Sequence, residues 1–430
     1  MILEVKKGRI WIPYNKKLRG KFIRLHIKNG VNEEKFICVI PRDGRCYVPK
    51  EIREMMRIRE RVEVLKIEEV INIKRSESMV VKRWMDTSSF IPEKTLSGYD
   101  IIATNDKGKY LCWYCAKGRP LEIRIDKKLP FYFSRLLGYY QAEGGKAKLT
   151  PRRGRTLSFT NTKLLLIKDF LELSKHLIDV REWNASIRHR EDLEKETIQN
   201  LIRELEKWGI CRIKVRKTVR IREFSVTLWI SNSLLAEIIQ YANVKIREVI
   251  KEKRSVEIFE EYFKGVIAGD GTFYSYRDNR GSMHSWIRIF EGDEEIMRSY
   301  KELLENYTFK CRIFKDTRKK MYILHINANW DILLSCLEHN LFCFAPHHKQ
   351  RLLWTIKNHK RWKTLKYLRR VNNCFDTKDF KKISGKDTSY TIHWLEDREK
   401  EGIVKRNFGD KTNILTEKGR KVKALLESIG

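Results

Sequence analysis

The chain has 430 residues, with 90 Lys and Arg against 56 Asp and Glu and a formal net charge of +34. It is long enough for several domains with real cores, and a charge of that size asks for a polyanionic partner. No apolar run approaches the roughly 18 residues of a membrane span, and the start at Met1 lacks a signal peptide's apolar region. Nucleic acid is therefore favoured over a membrane surface as the partner, and the expected location is intracellular, in the cytoplasm. The nine cysteines are scattered and odd in number, which argues against a disulfide framework and fits a reducing compartment.

Residues 1–80 contain an internal repeat. Gly8-Arg9-Ile10-Trp11-Ile12-Pro13 returns as Gly44-Arg45-Cys46-Tyr47-Val48-Pro49, each a short β-type run after a turn glycine. A second β-type stretch follows each copy, Lys21 to Ile27 and Arg61 to Ile67. The second copy, with Pro49-Lys50-Glu51-Ile52-Arg53, resembles the swapped-hairpin DNA-binding domains of the AbrB type. Those dimerise, so the resemblance implies a pseudo-dimer within one chain; a small basic β-barrel of unrelated type is the alternative. Residues 81–130 read as a connector with a few strands. Cys112-Trp113-Tyr114-Cys115 is the one close cysteine pair, and with no second CxxC it reads as buried thiols. As half of a structural zinc site it would need Cys336, His339, Cys343 or His347 brought near by the fold.

Two stretches further on share one template. Leu136-Leu137-Gly138-Tyr139-Tyr140-Gln141-Ala142-Glu143-Gly144 and Phe263-Lys264-Gly265-Val266-Ile267-Ala268-Gly269-Asp270-Gly271 agree in register. Gly138 and Ala142, like Gly265 and Gly269, are spaced to share a helix face where small side chains allow two backbones to approach. The closing Gly144 and Gly271 suit left-handed helix C-caps. Each acid then falls in a last turn, facing the negative end of the helix dipole, and a hard cation held by oxygen ligands relieves that conflict.

The pair resembles the two motifs of a single-chain LAGLIDADG homing endonuclease. The resemblance implies that the motif helices form the interface between two pseudo-symmetric halves, here 131–250 and 251–360. It also implies that Glu143 and Asp270, with the main-chain carbonyls of Ala142 and Gly269, hold two or three Mg²⁺ ions for hydrolysis of both strands of duplex DNA. A basic residue after each closing helix flanks the metals in that family; by position these are Lys245 and Lys349, with His347 or His348 as rivals for the second place. Glu143 stands where Asp is commoner, and Gln141 with two tyrosines replaces smaller residues. A terminal nucleophile and His-Asn pair are missing, which disfavours intein splicing.

The expected fold class is α+β, a duplicated αββαββα core with saddle-shaped antiparallel sheets. In the first half, Lys146 to Thr150 and Thr156 to Asn161 alternate like strands around Arg152-Arg153-Gly154-Arg155. Leu164 to Leu177 is helical, and a polar helical insert spans Glu191 to Trp208. Arg212 to Arg216 pairs with Phe224 to Ile230, and Leu234 to Tyr241 is helical. The second half repeats this with strands at Thr272–Tyr276, Ser285–Phe290, Cys311–Lys315 and Met321–Asn327, and helices at Glu294–Tyr307 and Trp330–His339.

One sheet face is then free to present Lys148, Arg152, Arg155, Arg212, Lys214, Arg216, Arg277, Arg280, Lys315, Arg318 and Lys320 to a duplex, with Tyr274 and Tyr276 reading base edges or packing on sugars. Residues 372–430 read as helix, helix, β-wing and closing helix, with a helix from Asp387 to Lys400 and the run Leu415-Thr416-Glu417-Lys418-Gly419-Arg420. This resembles a winged helix-turn-helix, which places Ser389, Tyr390 and His393 toward a major groove; a helical domain holding a partner protein is the alternative. The expectation is a monomeric, Mg²⁺-dependent DNA endonuclease. Two other classes compete with it, a non-catalytic DNA-binding regulator on the same scaffold and an RNA-binding splicing cofactor taking intron RNA.

Overall fold

The alternation of exposed and buried side chains along Ile2-Leu3-Glu4-Val5-Lys6 buries Leu3 and Val5 on one side and makes the first strand, β1 (Ile2–Lys6). The computed structural model describes the chain apart from residues 13–17, 19–20, 41–43, 82–83, 117–118, 145–155, 220, 222, 253–254, 408–411 and 430. The chain divides into two compact units, Met1–Tyr262 and Phe263–Gly430.

In the first unit, β1 joins β2 (Arg9–Trp11), β3 (Phe22–Asn29), β4 (Asn32–Val39), β5 (Arg45–Tyr47) and β6 (Arg61–Glu69) in a sheet of order β4-β3-β6-β1-β2-β5, with helix α1 (Lys50–Met55) after β5. The two repeat copies pair with each other. Ile10 faces Cys46 in an antiparallel β2–β5 ladder, Ile12 N–H donates to Gly44 O at 3.0 Å, and Val48 N–H donates to Gly8 O at 3.0 Å. Each bond is the other with the copies exchanged, so a local two-fold axis passes between Ile10 and Cys46. Gly8 and Gly44 sit at φ +74° and +73°, a conformation that strains any residue with a Cβ.

The connector forms two three-stranded sheets. One is β7 (Val80–Val81), β8 (Trp84–Asp86) and β12 (Lys128–Leu129); the other is β9 (Ile101–Asp106), β10 (Lys109–Ala116) and β11 (Arg119–Asp126). Trp113 of β10 packs with Phe22 and Ile37, tying this region to the N-terminal sheet. Burial pushes the Cys112 thiol up to about 12, so it stays protonated as an apolar filler. The Cys115 side chain lies outside the described residues.

The first core half runs α2 (Ser134–Glu143), β13 (Leu157–Asn161), α3 (Leu164–Ser174), β14 (Asn184–His189), α4 (Lys195–Lys207), β15 (Arg212–Lys217), β16 (Phe224–Ile230) and α5 (Ser233–Lys251). The expected strand at Lys146–Thr150 and the basic turn after it lie outside the described residues. Two expectations change. β15 does not pair with β16, because β14 lies between them in the order β13-β16-β14-β15, and the sheet is not wholly antiparallel, since β14 and β15 run parallel. The cause is α4, whose buried Leu201 and Leu205 seat it as a crossover that returns the chain in the same direction. Phe159, Phe170 and Trp183 fill the core, with Phe159 and Phe170 stacked at 4.4 Å.

α6 (Val256–Asp270) opens in the first unit and continues into the second. The second half then follows its expected order: β17 (Gly271–Arg277), β18 (Met283–Glu291), α7 (Glu294–Asn306), β19 (Cys311–Asp316), β20 (Met321–Asn327) and α8 (Trp330–Glu338), with the antiparallel sheet β17-β18-β20-β19. α9 (Pro346–Asn358) packs on β17, where Thr355 Oγ1 meets Ser275 Oγ at 2.8 Å. α10 (Lys360–Leu365) leads to the tail: β21 (Cys374–Asp376), α11 (Thr377–Ser384), α12 (Thr388–Lys400), β22 (Val404–Asn407), β23 (Thr412–Leu415) and α13 (Glu417–Glu427). Asp376 and Asp387 cap α11 and α12, Gly385 at φ +63° ends α11, and the strands form a small sheet β21-β23-β22.

Candidate nucleic-acid interface

The first motif helix is anchored by its own departures from small residues. Arg135 grips Asp169 of α3 through two nitrogens, Nε at 2.7 Å and Nη2 at 2.9 Å, and its Nη1 bonds Glu261 in the opening turns of α6. Burial opposes the guanidinium charge, but the two carboxylates outweigh it and hold the pKa above the usual Arg value. Tyr139 Oη donates to the same Asp169 at 2.8 Å. Gln141 Oε1 accepts from Asn243 Nδ2 at 2.9 Å and Arg247 Nη1 at 3.1 Å on α5, and Tyr262 Oη donates to Asn243 Oδ1 at 3.0 Å. A hydrogen-bonded cluster of the buried Gln141, Asn243 and Tyr262 with the part-buried Arg247 therefore supports α2 two residues before the motif acid.

Glu143 ends α2, half-buried, and burial raises its carboxyl above the ordinary carboxylate range while Lys163 partly offsets the shift. Asn161 Nδ2, at the end of β13, donates to Glu143 Oε1 at 3.3 Å. The glycines that close the motifs are not left-handed caps. Gly144 has φ −70° and ψ 145°, and Gly271 begins β17 outside the positive-φ set. They are glycine for lack of room: a Cβ on Gly144 would lie 2.2 Å from Tyr140 O, and one on Gly271 2.6 Å from Ile267 Cα, because the chain turns straight off the helix end into the sheet. Gly144 pairs with Phe159 and Gly271 with Ile289, the same register in both halves.

Lys245 bonds Glu248 Oε2 at 2.8 Å along α5, which raises its pKa, and it lines a groove of ≈ 630 Å³ against Arg75 and Glu77, in the stretch that follows β6. Lys349 is half-buried on α9, beside His348, whose Nδ1 accepts from Phe273 N–H at 3.4 Å. Ala142 and Gly269 are part-exposed, while Gly138 and Gly265 are buried. Among the described residues no group of three or more His, Cys, Asp or Glu side chains is placed to hold a metal ion, and no helix is long and apolar enough to cross a membrane.

Register divides each sheet into a helix-covered face and an open one. In the first half the open face carries Ser158, Thr160, Thr227 and Trp229, then Asn184, Ser186 and Arg188, then Arg212, Lys214 and Arg216 on edge strand β15. The three basic residues of β15 and Arg188 are exposed, and Thr160 and Thr227 hydroxyls meet at 3.0 Å. Lys148, Arg152 and Arg155 lie outside the described residues.

In the second half, Arg277 and Lys315 share register with the helix-covered positions, Arg277 reaching Asn358 O at 3.4 Å and Lys315 lying over Tyr322 at 5.5 Å. Arg280, Arg318 and Lys320 are exposed in turns. The open positions carry Tyr274, Tyr276, Trp286, His325 and Phe314, with Arg288, Arg312 and Asn327 in the same register. On α12, Ser389 and His393 are exposed, His393 3.5 Å from Glu396, and Tyr390 is half-buried.

Sequence reasoning passed over Asn161, Lys163, Arg188, Arg247 and the partners of Gln141. The alternation Leu157-Ser158-Phe159-Thr160-Asn161 does carry the signal for one of them, since it puts Asn161 on the side of Phe159. Arg188 and Arg247 have no local sign, because the first depends on an unrecognised central strand and the second on a contact between distant helices.

No family model matches the sequence, and no curated protein does. Among solved structures, the chain is similar to the N-terminal LAGLIDADG domain of DUF199/WhiA, with TM-score 0.28 and 16% identity over 49% of this chain and 81% of that one. Full-length DUF199/WhiA from Thermatoga maritima gives TM-score 0.28 and 15% identity over 63% and 90%. Mesophilic variants of the homing endonuclease I-DmoI give 0.27 and 20% over 49% and 88%. These neighbours are LAGLIDADG-domain proteins, and at TM-scores of this size the likeness assigns the chain neither a family nor an activity.

Proposed function

We propose that the chain is a site-specific DNA endonuclease of the LAGLIDADG homing type, with Glu143 and Asp270 holding divalent cations at the ends of α2 and α6. The observation that carries this reading is Glu143 itself, a carboxylate kept half-buried at a helix C-terminus, where burial and the dipole both oppose its charge. A pure binder would lose nothing by having an amide there. The available donors, two carboxylates and the carbonyls of Ala142 and Gly269, are all oxygen and suit a hard ion such as Mg²⁺. A cation bound there supplies Lewis acidity, lowering the pKa of an attacking water and offsetting charge on the leaving oxygen. Asn161 Nδ2 orients the Glu143 carboxylate, and the amide cluster of Gln141, Asn243 and Arg247 fixes the helix end that presents it.

The first sheet's open face supports duplex binding. Arg188, Arg212, Lys214 and Arg216 offer phosphate contacts, and the part-exposed Asn184 and Thr227 offer groups that hydrogen-bond base edges. The paired repeats of the N-terminal sheet support an AbrB-like pseudo-dimer, and α11, α12 and the β22–β23 pair support a winged helix, both as additional DNA contacts. One observation favours a non-catalytic DNA-binding regulator instead: Lys245 is committed to Glu248 and faces the groove it shares with Arg75 and Glu77. Incubation with a supercoiled plasmid library separates the two. The endonuclease linearises a subset of plasmids in Mg²⁺, and Glu143→Gln or Asp270→Asn lowers that rate by about a thousandfold or more. Sequence-selective binding without any strand break establishes the regulator.

A further inference from the structure

The second sheet's open face carries a cluster of aromatic rings that the first sheet's lacks. Tyr274 and Trp286 lie 4.9 Å apart across β17 and β18, Tyr276 stacks on His284 at 5.1 Å, Trp286 stacks on His325 at 5.9 Å, and Phe314 closes on His325 at 5.8 Å. Tyr274, Tyr276 and Phe314 are 45%, 42% and 50% exposed, so this is a continuous aromatic surface in water. Arg288 lies over the Trp286 ring at 5.3 Å and Arg351 over Tyr274 at 5.7 Å. A groove of ≈ 570 Å³ beside it is lined by Lys310, Arg312, His325 and Asn327, with Asp331 as its acid. The acids at the sheet's turns are engaged, Asp278 Oδ1 by the N–H groups of Arg280 and Ser282 and Asp316 Oδ1 by those of Arg318 and Lys319.

We propose that this face is a stacking platform for the unpaired bases of a single-stranded nucleic acid. An apolar protein partner would desolvate Arg288 and Arg351 over their rings, whereas a polyanionic strand supplies a phosphate for each. A duplex hides its base faces in its own stack and offers only edges, which call for hydrogen-bonding groups of the kind the first sheet carries. Flat rings with cations alongside match exposed base faces, and every base has one, so the platform is tolerant of sequence. This rests on the nucleic-acid reading above and adds the strandedness of what the second sheet holds.

The test uses the full chain, fluorescein-labelled oligo(dT) and oligo(U) of about 16 nucleotides, and a mixed-sequence duplex, with binding read by anisotropy. The proposal expects both single strands to bind. Trp286→Ala and Tyr274→Ala each weaken that binding by about tenfold, Trp286→Phe largely restores it, and duplex affinity stays within about twofold of wild type. Photo-crosslinks from 5-iodouracil in either strand fall on Tyr274, Trp286 or Phe314. The tighter of the two strands identifies whether DNA or RNA is the source. Single-strand binding that is unchanged by both alanine variants, or crosslinks confined to the first unit, overturns the platform and leaves the duplex reading standing. A chain that binds neither form overturns the nucleic-acid reading as a whole.

Discussion

The two core halves share a frame and differ at the positions that carry chemistry. Gly144 meets Phe159 and Gly271 meets Ile289 in one register, so Asn161 and Glu291 correspond, as do Lys163 and Asp293. The first half surrounds its motif acid with an amide and an ammonium. The second places two acids at the matching points and spends them on backbone: Glu291 Oε1 accepts from Gly292 N–H at 2.8 Å, and Asp293 caps α7. The open faces diverge in the same way, polar and basic on the first sheet and aromatic with arginines alongside on the second. The two halves thus agree in what closes the helix against the sheet and differ on the open faces.

The largest expected difference lies in how the motif helices are fastened. At the residue just before each template stand Arg135 and Tyr262, one joined to Asp169 and Glu261, the other to Asn243 Oδ1. Arg135→Ala leaves two carboxylates in a mostly buried pocket and is expected to cost about 3–5 kcal/mol. Tyr262→Phe removes one hydrogen bond and is expected to cost about 1 kcal/mol. Urea denaturation of both variants measures this; equal losses would mean that the ion cluster is not what holds the first helix.

A middle-sized effect concerns Glu143. Its folded-state pKa is raised, so its contribution to stability is present below the unfolded carboxylate pKa and is lost as pH rises through the raised value. Without divalent cations, Glu143→Gln is expected to melt higher than wild type at neutral pH and to flatten the stability profile in that window. Adding Mg²⁺ at a hundredfold excess over its dissociation constant stabilises wild type by about 2.7 kcal/mol and the variant by less. A variant as responsive to Mg²⁺ as wild type would remove Glu143 from the cation site.

Much of the second half was legible because its strands alternate and its helices are amphipathic and capped, from Thr272–Tyr276 through Glu294–Tyr307. In the first half the strand Asn184–His189 escaped notice, since Ala185, Ser186 and Ile187 are all buried and show no alternation. Without it the parallel pairing of β15 had no visible cause. The motif acids stood out as a repeat, but the reason for their closing glycines did not, because φ is a local property and the clash with Tyr140 O or Ile267 Cα arises only once the chain folds back. The basic residues named for the second sheet came from clustering in sequence. Strand register then put Arg277 and Lys315 on the covered side and left the aromatic positions in the open.

The smallest expected effect compares helix starts. α7 begins at Asp293, whose Oδ1 accepts from Glu295 N–H at 2.8 Å and Ile296 N–H at 3.2 Å, while α3 begins at Lys163 with no side-chain cap. Asp293→Ala should therefore cost about 1 kcal/mol, the usual worth of a cap. Lys163→Ala removes no cap, but it takes away the cation that partly offsets the raised Glu143 carboxyl, so that carboxyl should rise further. The two variants are distinguished by pH. The Asp293→Ala loss should be much the same across the neutral range, whereas the Lys163→Ala loss should grow as Glu143 ionises. Parallel profiles for the two would show that Lys163 acts on the helix alone and leaves the acid to its amide partner.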